Sequence, residues 1–153
     1  MTAEQLWAEF AKKSGITHNE YEAWQFGDAP DKLAELVVRG IKTGTAGAAA
    51  LYEIDNEPFP KAGDYSVILN SREEAVCVIR TTKVSCVPFR EVSAHHAYCE
   101  GEGDRSLAYW RMVHEAFFKN EYAAYGLEFS EDIPVLCEEF ELLEIACGAS
   151  DAE

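Results

Sequence analysis

The chain has 153 residues, enough for one domain with a real hydrophobic core and no need of disulfides or metal to fold. Hydrophobic residues make up 48% and charged residues 27%, a globular composition. Thirteen Lys and Arg against 28 Asp and Glu give a formal charge of −15, which excludes a protein that coats duplex DNA and disfavours binding to anionic membrane surfaces.

No apolar run approaches the ~20 residues of a membrane helix, and residues 1–15 lack the apolar core of a signal peptide. The five cysteines are odd in number and never form a CxxC pair, so free thiols in a cytoplasmic protein are expected. The acid excess is uneven. Glu128 to Glu153 holds nine acids and no Lys or Arg, whereas Arg39 to Arg111 holds nine bases against ten acids. The nearly neutral middle is compatible with a cleft for one nucleotide or a short single strand.

Thr2 can cap a first helix carrying Leu6, Trp7 and Phe10 on one face, with Gly15 as its stop. Tyr21, Trp24 and Phe26 then form either a lid of core aromatics or a base-stacking platform. Asp28-Ala29-Pro30-Asp31 reads as a helix start with an acidic cap. Leu33, Leu36 and Val37 give that helix its apolar face, and Gly40 ends it. Thr45 to Ile54 is small and apolar enough for a strand, and Asn56 to Asp64, with two prolines and a glycine, reads as a loop. Tyr65 to Leu69 and Ala75 to Val84 are rich in β-branched residues and predict paired strands about a turn at Asn70 to Glu74.

Pro88 to Gly103 is expected to be irregular or a short helix. Asp104 is the simplest N-cap for a long helix reaching about Phe118, with Leu107, Trp110, Val113, His114 and Phe117 at helical spacing. Val135 to Ile145 predicts a last strand, acidic on its outer face, followed by a frayed tail at 149–153. Strands in the middle and helices on the flanks make an α+β domain over 1–148, built around a small sheet or barrel.

Two segments carry candidate chemistry. In Gly40-Ile41-Lys42-Thr43-Gly44-Thr45 the glycines allow close approach of the backbone to a ligand, and a turn can set the Lys42 ammonium beside the Thr45 hydroxyl. A threonine hydroxyl needs a base, which a desolvated lysine supplies; the competing reading is a capping turn with a surface lysine. In Glu100-Gly101-Glu102-Gly103-Asp104-Arg105-Ser106, Glu100 and Glu102 have no capping duty. They can pair with a lysine, act as general acid or base, hold a hard divalent metal, or form a solvated loop. Adjacent His95 and His96 would point apart on an extended segment, and no spacing supports a zinc site. His114 falls on the apolar stripe and reads as a satisfied core residue.

Together these segments resemble the ASCH domain family, a branch of the PUA-like superfamily. The matching stretches are Trp24 to Asp28, the GxKxxT pattern at Gly40 to Thr45, Pro60 to Tyr65, and Glu100 to Arg111. The resemblance implies a PUA-like small β-barrel flanked by helices, with a cleft at the barrel mouth. ASCH domains are proposed to bind RNA or nucleotides. Some relatives are hydrolases, either amidohydrolases that deacylate modified cytidine or ribonucleases. By that likeness Lys42, Thr45 and Glu100 are the candidates for catalysis, with Glu102 as the alternative acid. Gly40, Gly44, Trp24, Glu102, Arg105 and Ser106 are the candidate ligand-binding residues, with Tyr52 and Tyr98 as further stacking partners. The expected partner is a nucleoside or short single-stranded RNA, with no resident cofactor beyond the divalent metal the acids could hold. The alternatives are a non-catalytic nucleotide-sensing module and an acidic protein-interaction domain.

Overall fold

A computed structural model describes residues 1–147. The tail expected at 149–153 lies outside the described residues. Helix α1 (Ala3–Ser14) starts at Thr2, whose hydroxyl accepts from the Gln5 amide while the Gln5 side chain accepts from the Thr2 amide. Gly15 closes it in the left-handed conformation, and Leu6, Trp7 and Phe10 are buried as the spacing predicts. The short strand β1 (Glu22–Trp24) follows, then helix α2 (Pro30–Val38).

The expected acidic cap of α2 is not present. Ala29 occupies the N-cap position and makes no side-chain hydrogen bond, while Asp28 has a φ of 67°. Asp31 is used elsewhere: its carboxylate accepts from the Ser71 amide and hydroxyl, both at 2.7 Å, and fixes the turn between the central strands. Proline in the first turn suffices to start the helix.

The stretch expected as one strand from Thr45 to Ile54 divides into strand β2 (Gly44–Ala48) and helix α3 (Ala49–Ile54). Alanine favours helix and lacks the branched bulk that packs a pleated surface, so the chain turns helical at Ala49 and buries Leu51. Strands β3 (Tyr65–Leu69) and β4 (Ala75–Pro88) form the expected hairpin, with β4 four residues longer than expected. Phe89–Glu91 makes a 3-10 turn. Helix α4 (Ala94–Glu100) follows, capped by the Ser93 hydroxyl on the His96 amide and ended by Gly101 at φ +74°. His95 and His96 thus lie on a helix rather than an extended segment.

Helix α5 (Leu107–Ala124) runs six residues past its expected end. Its cap is Ser106, whose hydroxyl accepts from the Tyr109 amide; Asp104, expected in that role, instead accepts from the Ser106 amide and holds the turn before the helix. Strand β5 (Pro134–Ile145) completes the fold.

One five-stranded sheet has the order β1-β3-β4-β5-β2, parallel only between β1 and β3. Register shifts at Val78/Ile79 and Thr81/Lys83 break the long β4–β5 ladder. Such bulges bend and twist a strand, and the sheet curls into a half-barrel flanked by helices. Three clusters fill the interior. One joins α4 and α5 to the sheet through Phe89, Trp110, Phe118 and Cys137. A second seats α1 on Val67 and Val78. A third packs α2 and Phe26 on Ile68, Ile79 and Phe140. Cys137 and Phe140 thus belong to different clusters, so β5 presents apolar side chains to two layers. Among the described residues no helix is long and apolar enough to cross a membrane.

Candidate functional site

The turn after α2 and the end of α4 bring together two charged side chains 58 positions apart. Lys42 Nζ lies 3.3 Å from Glu100 Oε1 and 3.4 Å from the Glu100 carbonyl oxygen. The same ammonium lies 3.2 Å from Glu102 Oε2. Lys42 and Glu100 are each only 1% exposed. Backbone bonds fix the approach: the Lys42 amide donates to Leu36 and the Thr43 amide to the Cys99 carbonyl. Gly101 is required between the two acids, because a Cβ there would stand 2.5 Å from the Ile41 carbonyl oxygen.

Glu100 is saturated with donors. Trp110 Nε1 donates to Oε2 at 2.6 Å, and His96 Nε2 lies 2.8 Å from the same oxygen. His114 Nε2 lies 3.4 Å from Oε1. His114 Nδ1 is 2.9 Å from the Trp110 carbonyl, which can only accept, so Nδ1 carries a proton. The His114 ring stacks at 4.1 Å on Trp110. Burial works against the charge on His114, but the hydrogen bond and charge of Glu100 outweigh it and raise the imidazole above its ordinary value. Burial likewise opposes ionisation of Glu100; the Lys42 charge and the two imidazoles prevail and hold the carboxyl well below the usual range. His114, read from the sequence as a satisfied core residue, is buried and satisfied by the site's own acid.

Glu100, Glu102 and His114 place ligand atoms within 4.8 Å of one another, a spacing a divalent ion could use. The Lys42 ammonium already stands between both carboxylates, so an ion there would have to displace it. His95, Cys99 and Glu139 make a second such group, with His95 Nε2 3.5 Å from Cys99 Sγ and 3.8 Å from Glu139 Oε1.

Thr45 lies on the other side of this turn from the ion pair. It lines a cleft of about 1070 Å³ whose walls include Tyr21, Trp24, Tyr52, Phe59 and Tyr65. Ser66, Thr81 and Glu138 form its polar floor with Thr45. Lys42 and Glu100 do not line this cleft. Phe26 lines it, and its ring is 5.2 Å from the Lys42 ammonium. Among the described residues Thr45 makes no hydrogen bond to Lys42 or Glu100.

The other sequence-predicted site residues have definite places. Trp24 is half-buried at the cleft wall, edge-on to Phe26 at 4.9 Å. Gly40 follows α2 at φ +76°. Gly44 is pressed close by protein: an added Cβ would meet the Glu138 carbonyl oxygen at 2.9 Å and Cys99 Cβ at 3.2 Å. Arg105 binds the Tyr98 and Ile41 carbonyls and lies 3.6 Å over the Tyr98 ring, away from the cleft. Ser106 caps α5.

Glu138 is a cleft residue that the sequence does not single out. The acids of the last strand are expected on an outer face, but β5 alternates: Glu138 turns into the cleft, while Glu139 reaches His95 and Lys83. Burial, helped by the charge of Asp64, pushes the Glu138 carboxyl up to about 7; the Thr81 hydroxyl opposes the shift. The signal was available in the strand period, because Phe140 two positions on is a core residue of the same face.

A half-barrel with a cleft at its open side and flanking helices is a PUA-like domain. The ASCH domain model matches residues 22–144, and the chain belongs to the ASCH domain family. Protein EF3133 of Enterococcus faecalis V583, from the family DUF984, is similar at 35% identity and a TM-score of 0.88, over 97% of this chain and 92% of that one. The ASCH domain of Lactobacillus crispatus JV V101 is similar at 27% identity and a TM-score of 0.83, over 92% and 93%. The hypothetical protein PH0355, at 15% identity and a TM-score of 0.53 over 80% and 97%, shares the fold. No curated protein matches the chain.

Proposed function

We propose that this ASCH domain binds a nucleoside in the cleft above Thr45 and Glu138. The carrying observation is the cleft's lining. Aromatic side chains at the wall offer stacking surfaces, and hydroxyl and carboxyl groups on the floor offer hydrogen bonds. Its size suits a ligand larger than a lone base.

Charge narrows the ligand. Glu20, Glu22, Glu57, Asp64 and Glu138 line the cleft, and its one lysine, Lys61, is paired with Asp64 at 2.6 Å. A polyphosphate or long RNA strand would meet repulsion there. A neutral nucleoside, or a base at the end of a short single strand, would not. Calorimetric titration with nucleosides, nucleotides and short single-stranded RNAs tests the reading. Saturable binding of nucleosides, weakened by added phosphates and by Trp24→Ala, is expected; preference for the polyanions overturns it.

A second reading adds hydrolysis of an acylated base. Its support is the meeting of Lys42 and Glu100 beneath a cleft that Thr45 lines. There the Thr45 hydroxyl would attack the acyl carbon and break its bond to N4, its proton leaving with the cytidine amine, and water would then cleave the threonyl ester to release the acid, with the buried pair fixing the turn that carries Thr45. Release of acid from an N4-acylcytidine, abolished in Thr45→Ala, separates this reading from binding alone.

A further inference from the structure

Outside the cleft and the Lys42–Glu100 pair, another group of side chains converges where α4 meets β5. On an extended segment, residues four apart stand about 13 Å from each other. On α4 the same spacing sets His95 and Cys99 one turn apart on one face. Strand β5 adds Glu139, which lies outside the cleft and reaches His95. The joint is closely built. The Thr43 amide donates to the Cys99 carbonyl at 2.7 Å. Gly44 is the register partner of Glu139, and an added Cβ there would lie 3.2 Å from Cys99 Cβ. The Lys83 ammonium lies 3.9 Å from Glu139 Oε2, which leaves Oε1 to face the imidazole.

A nucleophilic triad joins its thiol to one ring nitrogen and its acid to the other. Here both approach the same nitrogen: Cys99 Sγ is 3.5 Å and Glu139 Oε1 3.8 Å from His95 Nε2. A surface ion pair accounts for Glu139 and His95 but gives the thiol no part. Three unlike donors gathered about one point are what a bound cation requires. Zinc bonds of about 2.0–2.3 Å in a tetrahedral site set ligand atoms roughly 3.4–3.6 Å apart. The His95–Cys99 separation falls in that range, and all three ligand atoms lie within 4.8 Å of one another. The His95 side chain is 71% exposed, so it can close the remaining gap, and an ion can enter beside it. Sulfur, imidazole nitrogen and a single carboxylate suit a borderline metal; magnesium and calcium want oxygen ligands alone.

We propose that His95, Cys99 and Glu139 bind one divalent ion of the zinc class, with water in the fourth tetrahedral position. Cys99 binds as the thiolate, and its proton passes to solvent. The ion ties α4 to β5 at the residue preceding Glu100, so its effect falls on the stability of that joint. Neither the nucleoside reading of the cleft nor the hydrolytic one is needed for it.

Titration of the full chain with cobalt(II), followed by zinc(II), tests the proposal, with circular dichroism checking the fold of each variant. Wild type is expected to develop a thiolate-to-cobalt charge-transfer band that saturates at one equivalent and is abolished by zinc. Zinc should also raise the melting temperature. Cys99→Ser should remove the band. Cys99 is buried, so His95→Ala and Glu139→Gln, at more exposed positions, give the second reading. Each should weaken zinc binding by about a hundred-fold or more, since loss of an outer partner alone costs about 10–100-fold. The double variant Cys86→Ser with Cys147→Ser, which removes the exposed thiols, should keep the band. A band that persists in Cys99→Ser, or that vanishes with the exposed thiols, overturns the proposal. So does zinc affinity unchanged in His95→Ala, and so does a wild type with neither band nor thermal shift. Cobalt bound without a thiolate band would lie at Glu100, Glu102 and His114 instead, and overturns it as well.

Discussion

Lys42 Nζ stands 3.3 Å from Glu100 Oε1 with both side chains out of solvent, and the two come from opposite ends of the central stretch of the chain. A buried pair of this kind contributes little over a well-packed apolar pair. Losing one partner alone is costly, because the other charge is then stranded. Lys42→Met should destabilise the fold by about 3–5 kcal/mol. The double variant Lys42→Met with Glu100→Gln should recover a large part of that loss, as coupled neighbours do. Urea unfolding of the four proteins of the cycle measures it; additive losses would show that the pair is uncoupled.

The pH dependence of stability has a sign for each group. Glu100 is depressed in the folded state, so its contribution is present above the ordinary carboxylate value and is lost as pH falls through its lower folded value. His114 is raised, so its contribution is present below its unfolded value of 6.5 and is lost as pH rises through the folded one. Glu138 is raised from 4.5 to about 7, so the folded state loses stability as pH climbs between those values. At pH 8 Glu138→Gln should therefore be more stable than wild type by on the order of 3 kcal/mol. The gap should close below pH 4.5, where the wild-type acid is also neutral. Thermal unfolding at pH 4, 6 and 8 reads the difference.

Trp110 supplies the shortest bond to Glu100, at 2.6 Å, through its only polar atom. Trp110→Phe keeps most of the ring volume and removes that donor. A loss of about 1–3 kcal/mol is expected, because a buried carboxylate oxygen gives up a partner. The same substitution in a Glu100→Gln background should cost less, and chemical denaturation of both pairs measures the coupling.

Gly101 separates the two acids at φ +74°, and a side chain there would strike the carbonyl of Ile41, the residue before the lysine. Gly101→Ala combines a left-handed backbone penalty of about 1–2 kcal/mol with that collision. The same change at Gly40, also at positive φ but with nothing within 4 Å, should incur the backbone penalty alone. Comparing the two melting temperatures isolates the steric part.

For ligand binding, Trp24→Ala should weaken nucleoside affinity by about 1–3 kcal/mol, the usual worth of one stacking surface. Tyr98→Ala should leave it unchanged, since that ring lies under Arg105 outside the cleft. Titration of one nucleoside into both variants decides it.

The legible features were those carried by local chemistry. Thr2 with Gln5, Gly15, and the branched runs at Tyr65 to Leu69 and Ala75 to Val84 each act over a few residues, so position alone reveals them. Asp104 and Ser106 show the limit: both residue types cap helices well, and only the path of the loop decided which one did. The Ala48–Ala50 run misled for a related reason, because small apolar residues suit either state until a core claims one of them. Motif likeness brought out Lys42 and Glu100. It could not bring out His96, His114 and Trp110, whose part in the site depends on how α4 packs against α5. Strand alternation with Phe140 sets Glu138 on an inward face, but it does not say that a cleft opens over that face.

That alternation constrains how such a chain can tolerate insertions and deletions. The exposed residues Gly126 to Glu128 can change in number without moving any cleft group, since the stretch after them, Phe129 to Ile133, is held by Phe89 and Arg90 before β5 begins. A single residue gained inside β5 ahead of Cys137 would hand the cleft position to its neighbour and swing the acid toward α4. Length variation among natural sequences of this shape is therefore expected to accumulate in that exposed stretch and to stop ahead of the strand.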